Sequence, residues 1–200
     1  MDGRVVRGDR TRRTVAATAA AVASVEGLSG MTLGRLGEAA GLGKSSVQAA
    51  FGTKEAVQLA AIDTASEIFA AAVVAPAADH AAGLPRLTAL VDGWLAYVER
   101  RVFPGGCFMV ATFAEYDSRP GPVRDALARA RRSWLGLLEH HAAIAQAAGA
   151  IPGSPSAAMV AFEIDALLAA ANVARNFSDD TAPLEMARAL IGARLGSNRG

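Results

Sequence analysis

Apolar residues recur at three- and four-residue steps along most of this chain, and the recurrence breaks where glycine or proline intervenes. Val15, Ala19, Val22 and Val25 share one face of a helix predicted over residues 10–26, which Gly27 ends. The stretch before it, residues 1–9, has glycines and arginines but no period, and reads as a flexible basic arm. A long helix is predicted over residues 53–74, with Val57, Ala60, Ala61, Ile62, Ala65, Ile68 and Phe69 inward and Pro76 as its end. Residues 75–84 form a loop that leaves His80 in solvent. Leu87, Leu90, Val91, Trp94, Leu95 and Val98 then trace one face of a helix over residues 85–101, with Tyr97 beside the stripe. After Phe103-Pro104-Gly105-Gly106, residues 107–116 make a short apolar helix. Pro120-Gly121-Pro122 is a turn, and the helix over residues 123–148 puts Leu127, Ala130, Trp134, Leu135, Leu138 and Ile144 inward. Arg124, Arg129, Arg131 and Arg132 form its wet side. From Ser154 or Ser156 to Val173 a helix is apolar nearly all round, which implies burial on several sides. Thr181 caps the last helix, which carries Leu184, Ala187, Leu190, Ile191 and Leu195. Every element is helical, so the expected class is all-α.

Residues 30–59 depart from the pattern of long helices. Thr32 is an N-cap for a helix with Leu33, Leu36 and Ala40 inward, and Gly41 stops it. Lys44 to Phe51 makes a second short helix, with Val47, Ala50 and Phe51 inward and Lys44, Ser45, Ser46 and Gln48 outward. Gly52 closes it. Thr53 opens the next helix, whose positively polarised N-terminus suits a phosphate, and Lys54 adds a formal charge there. Two short helices joined by a glycine-bearing turn are either an ordinary pair in a helical protein or a helix-turn-helix, whose second helix enters the DNA major groove.

On these residues the chain resembles the tetracycline-repressor (TetR-like) transcriptional regulators. The shared pattern is Thr32, an apolar residue, Ala39-Ala40-Gly41-Leu42, a small-residue helix, Phe51, a small residue, and Lys54-Glu55. It is strong over residues 10–59 and architectural beyond. One departure concerns the second helix: where the family usually has Leu-Tyr and an aromatic or histidine before the Phe, this chain has Val47, Gln48, Ala49 and Ala50. The usual aromatic contacts to backbone phosphates are therefore missing, and Gln48 is left to bond a phosphate or an adenine edge. Thr32, Ser45, Ser46 and Lys54 are the candidates for phosphates, and Lys44 and Gln48 for base edges. The resemblance implies a DNA-binding head over residues 10–55 and a ligand-binding and dimerisation body over residues 56–200. It also makes the helix over residues 53–74 a lever between them, and repression the usual mode.

Composition supports a helical protein and adds an electrostatic asymmetry. Of the 200 residues 52% are hydrophobic but only 6% aromatic. The balance is largely alanine, the best helix former. The net charge is only +1, yet residues 1–60 hold eight arginines and lysines against five acids, leaving the remainder slightly acidic. A basic end on an acidic body is the footprint of a nucleic-acid-binding head, although an imbalance this small also fits a solvated helix face. The single cysteine, Cys107, forms no internal disulfide, which fits a reducing cytoplasm. No signal peptide is expected at the N-terminus. The apolar stretch over residues 156–173 is interrupted by Glu163 and Asp165, so a buried helix is expected there and no membrane partner.

The expected partners are double-stranded DNA carrying a near-palindromic operator, a small-molecule effector and a second copy of the chain. One helix-turn-helix reads few base pairs, and the two terminal helices paired with their mates would give a C2 dimer. Trp94, Tyr97, Phe108, Met109, Phe113, Trp134 and Phe162 either line an apolar cavity or fill the core. If they line a cavity, Glu115, Tyr116, Asp165 and Asn172 would orient the effector. A body that serves only for dimerisation or protein docking is the alternative. Catalysis, a metal and a cofactor are not expected. Glu139-His140-His141 puts its groups on diverging faces, and no phosphate loop, Cys-x-x-Cys pair or nucleophile elbow is present.

Overall fold

The structure is a computed structural model that describes residues 3–196, with side chains from Gly8 onward. It is all-α, with no strand among the described residues. The helices are α1 Gly3–Glu26, α2 Leu33–Ala39, α3 Lys44–Phe51, α4 Lys54–Phe69, α5 Ala75–Ala77, α6 Leu84–Glu99, α7 Phe108–Tyr116, α8 Pro122–Ala147, α9 Ala157–Ser178 and α10 Ala182–Arg194. A π-helical turn, Ala70–Val74, joins α4 to α5.

Several boundaries differ from the sequence reading. Helix α1 begins at Gly3, where an irregular arm was expected up to Asp9. Met1, Asp2 and the side chains of Arg4 and Arg7 lie outside the described residues. The long helix expected over residues 53–74 is not ended by Pro76, which sits inside α5. The π turn explains this. Its wider ring carries the Ala75 N–H to the Ala70 carbonyl, and the altered register accommodates a proline that lacks an N–H and crowds the turn before it. Helix α9 runs on to Ser178, past the expected end at Val173, and Asp179 closes it in the left-handed conformation. Thr181 holds the cap position of α10 without a side-chain cap; the Asp180 carboxylate accepts the Ala182 N–H instead, at 3.1 Å.

The chain forms two compact units. The first comprises Met1–Ile68 and Phe103–Ala128, the second Phe69–Val102 and Arg129–Gly200. Residues 103–128 thus group with the N-terminal helices by contact; the divisions expected from the sequence fall after residues 9 and 55. In the first unit α1 packs against α2, α3 and α7, burying Val15, Ala19, Leu28, Met31, Leu36 and Val47. Val25, expected inward, is exposed. In the second unit α6 packs against α9, α10 and the π turn around Leu87, Leu90, Leu95, Ile164 and Leu168. Tyr97 is fully buried there rather than beside the stripe.

Candidate nucleic-acid interface

Helix α3 turns Val47 and Phe51 into the first unit and leaves Lys44, Ser45, Ser46, Gln48 and Ala49 exposed. Lys44, Ser45, Gln48 and Ala49 fall at one- and four-residue steps, so they make one outward ridge. The ridge is held from behind by Arg12 of α1. Its guanidinium lies 4.6 Å from the centre of the Phe51 ring and donates to the Ala50 carbonyl, one of the orphan acceptors at the end of α3. Sequence reasoning counted Arg12 only as charge; its position on α1 gave no sign that it reaches α3.

The six expected DNA contacts are not equivalent. The Thr32 hydroxyl accepts the Arg35 N–H at 3.1 Å, so it caps α2 as expected and its oxygen is partly committed. The Lys54 ammonium donates to the Ser29 carbonyl at 2.5 Å, and the Gln48 amide donates to the Gly52 carbonyl, folded back along its own helix. Lys44, Ser45 and Ser46 make no side-chain hydrogen bond among the described residues. All six side chains remain exposed.

Of the residues expected to bind an effector, five lie in the first compact unit and six in the second. In the first, Phe108 is buried against Phe103, with ring centres 5.9 Å apart, while Met109, Phe113, Glu115 and Tyr116 are half-buried. The Glu115 carboxylate accepts the N–H groups of Leu28 and Ser29 at 2.9 and 2.8 Å. Tyr116 accepts from the buried Gln58 amide at 2.9 Å. Burial and the neighbouring Glu115 charge raise the Tyr116 phenol above its ordinary value, against the lowering effect of the Gln58 bond and Arg119. Gln58 was missed because a polar residue on an apolar face gives no sign of its partner.

In the second unit Trp94 and Tyr97 are core residues. Phe69 meets the Tyr97 and Trp134 rings edge-on, at 5.6 and 5.2 Å between centres. Asp165 is buried, paired with Arg131 at 2.9 Å and bonded to Trp134. Burial raises its carboxyl above the ordinary range, and Arg131 and the Trp134 bond pull it back. Arg131, on the predicted wet side of α8, keeps its side chain 38% exposed while its guanidinium reaches the buried carboxylate, which a cation stabilises. Phe162 is 63% exposed on the outer face of α9 and joins none of these groups. A cleft of about 470 Å³ beside the π turn is lined by Val73, Pro76, Leu84, Thr88, Asp92 and Gly93 among others, none of them an expected ligand residue.

The model of the family described as "Tetracyclin repressor-like, C-terminal domain" matches residues 83–191, more than half of the chain. The chain belongs to the tetracycline-repressor-like family. It is thus a TetR-like DNA-binding transcription regulator of all-α build. Among solved structures, a TetR transcriptional regulator from Chloroflexus aurantiacus J-10-FL is 27% identical over 94% of both chains, with a TM-score of 0.81. AibR, solved with isovaleryl coenzyme A and operator DNA, is 17% identical over 92% of this chain and 98% of its own, with a TM-score of 0.77. A reduced form of NemR from E. coli is 22% identical, covers 96% of this chain and 100% of its own, and has a TM-score of 0.76. At the two lower identities the likeness is one of fold. No curated protein sequence matches.

Proposed function

We propose that this TetR-like chain is a sequence-specific repressor. It binds a near-palindromic operator as a cytoplasmic homodimer and is released by a small apolar or amphipathic effector held in its C-terminal helical domain. The observation that carries this reading is the outward ridge of α3, polar and exposed on a helix whose other face is anchored to α1. Lys44 and Gln48 are the groups for base edges, and Thr32, Ser45, Ser46 and Lys54 those for phosphates. The homodimer is supported by the apolar side chains that one copy leaves in solvent, Met159, Phe162, Val173 and Phe177 on α9 with Met186 and Leu190 on α10. A patch of that kind calls for a cover, and an isologous contact with a second copy supplies one. The effector is supported by AibR, a fold relative solved with both a coenzyme A ester and operator DNA. Such a ligand acts by binding more tightly to the conformation that does not fit the operator.

The test is selection of duplexes from a random-sequence library by the purified protein, followed by affinity measurements at two salt concentrations. One enriched near-palindrome is expected, with binding that weakens as salt rises. The Lys44→Ala, Gln48→Ala double variant should bind it at least about tenfold more weakly and discriminate less between sequences. Absence of any enriched sequence, even at low salt, overturns the reading.

A further inference from the structure

We propose that Glu115 is a positioning residue for DNA binding, which holds the turn between α1 and α2 and so sets how α2 and α3 are presented. The proposal rests on the DNA-reading role given to α3 above, and it assigns α7 a part in that role. The turn begins at Gly27, whose φ of +78° favours glycine, and a Cβ there would stand 2.2 Å from a Glu115 oxygen. The carboxylate therefore occupies space that only a bare backbone leaves open. It accepts the Leu28 N–H at 2.9 Å, the Ser29 N–H at 2.8 Å and the Ser29 hydroxyl at 2.6 Å. The carbonyls of the same two residues are taken by α4: Gln58 donates to Leu28 at 2.8 Å, and Lys54 to Ser29 at 2.5 Å. Gln58 also donates to Tyr116, so the last turn of α7 enters the network twice.

Leu28 and Ser29 are thus held on both sides, their N–H groups by α7 and their carbonyls by α4. Thr32 follows three residues after Ser29 and caps α2, so the direction of the turn becomes the direction of the reading helices. An ionised acceptor gathering two backbone N–H groups and a hydroxyl makes bonds roughly twice as strong as neutral ones. Without it two donors lose their partner, and the turn samples other conformations. Apparent affinity for DNA then falls in proportion to the fraction of molecules that keep the competent one.

The experiment uses the full chain and the duplex enriched by the wild-type protein. Glu115→Gln keeps the size of the side chain but presents an amide NH₂ where one oxygen accepted. We expect about tenfold weaker binding, with helical content unchanged. Hydrogen exchange should rise at Leu28 and Ser29 and in α2, while that of α6 and α9 stays as in the wild type. Ser29→Ala, which removes the hydroxyl bond alone, should weaken binding about threefold and add less than that when combined with Glu115→Gln. Unchanged binding by Glu115→Gln, or exchange that rises equally throughout the chain, overturns the proposal. Should Glu115→Gln fail to fold, Ser29→Ala decides: unchanged affinity overturns the proposal, and weaker binding with local exchange supports it. If the wild type enriches no duplex, the DNA-reading role falls and this inference with it; if it enriches one that Glu115→Gln binds equally well, only the inference falls.

Discussion

The two compact units use their polar side chains differently. In the unit that carries α3, most long-range side-chain bonds end on backbone groups: Glu115 on the Leu28 and Ser29 N–H groups, Gln58 on the Leu28 carbonyl, Arg12 on the Ala50 carbonyl, and the Ser24 hydroxyl on the Gly105 N–H, beside an ion pair of Arg35 with Glu26. In the other unit more of the charged side chains meet each other: Arg131 with Asp165, Arg188 with Asp92, Arg194 with Glu163, and Arg101 with Asp179, although Arg86 ends on the Ala78 and His80 carbonyls. There Arg175 is 7% exposed, bonded to the Glu99 carbonyl at 3.0 Å, and its Nε and Nη1 have no hydrogen-bond partner among the described residues. A bond to backbone constrains the path of the chain directly. A pair of long side chains gains little and can re-form in another geometry. The first pattern suits a surface that must present one shape to DNA, and the second leaves more than one arrangement of the side chains open.

The largest expected effect would come from breaking the first pattern. A Cβ at Gly105 would stand 1.8 Å from the Ser24 carbonyl oxygen, at the contact between α1 and the segment leading into α7. Gly105→Ala should therefore destabilise the protein by about 3 kcal/mol, read by urea denaturation. A loss below about 1 kcal/mol would mean that this junction is looser than its geometry implies.

A smaller effect comes from His141 in the second unit, which is buried and whose Nδ1 accepts the Gly83 N–H at 3.4 Å. Burial, then the charges of His140 and Arg86, lower its pKa below the ordinary value of 6.5. Below that value the unfolded chain binds the proton more readily than the folded one. The contribution to stability is thus complete above pH 6.5 and is lost as pH falls through the window between 6.5 and the folded value. One proton bounds the slope at about 1.4 kcal/mol per pH unit. Denaturation midpoints measured from pH 7.5 down to pH 5.5, about one unit on either side of that value, should fall for the wild type. His141→Gln should flatten the decline, and an identical decline in both would locate the sensitivity elsewhere.

The smallest effect sharpens the contrast. Arg175→Met removes one hydrogen bond together with a buried cation that the chain leaves partly unpartnered. Stability should stay within about 1 kcal/mol of the wild type, or rise. A large loss would show that the guanidinium at the end of α6 contributes as much as the backbone-directed bonds of the first unit.

Much of the α3 side of this comparison could be read from the residues. The caps at Thr32 and Thr53, the breaks at Gly41 and Gly52, and the inward Val47 and Phe51 all hold in the structure. The body was legible as helices but less so as a site. The expected ligand residues mix true core (Trp94, Tyr97), an exposed surface residue (Phe162) and two groups bonded within the first unit (Glu115, Tyr116). Aromatic and acidic residue types look alike in all of these roles.

The helical class, the helix-turn-helix and the outward residues of α3 were determined by the sequence alone, because capping, glycine breaks and the helical period act within a few residues. Only the tertiary structure decided that Pro76 continues a helix, that the Arg131 guanidinium pairs with Asp165, and that Glu115 reaches Leu28 across 87 residues of sequence. The physical reason is that a buried polar group takes whichever partner packing brings within hydrogen-bonding distance, and separation along the chain carries no record of that choice.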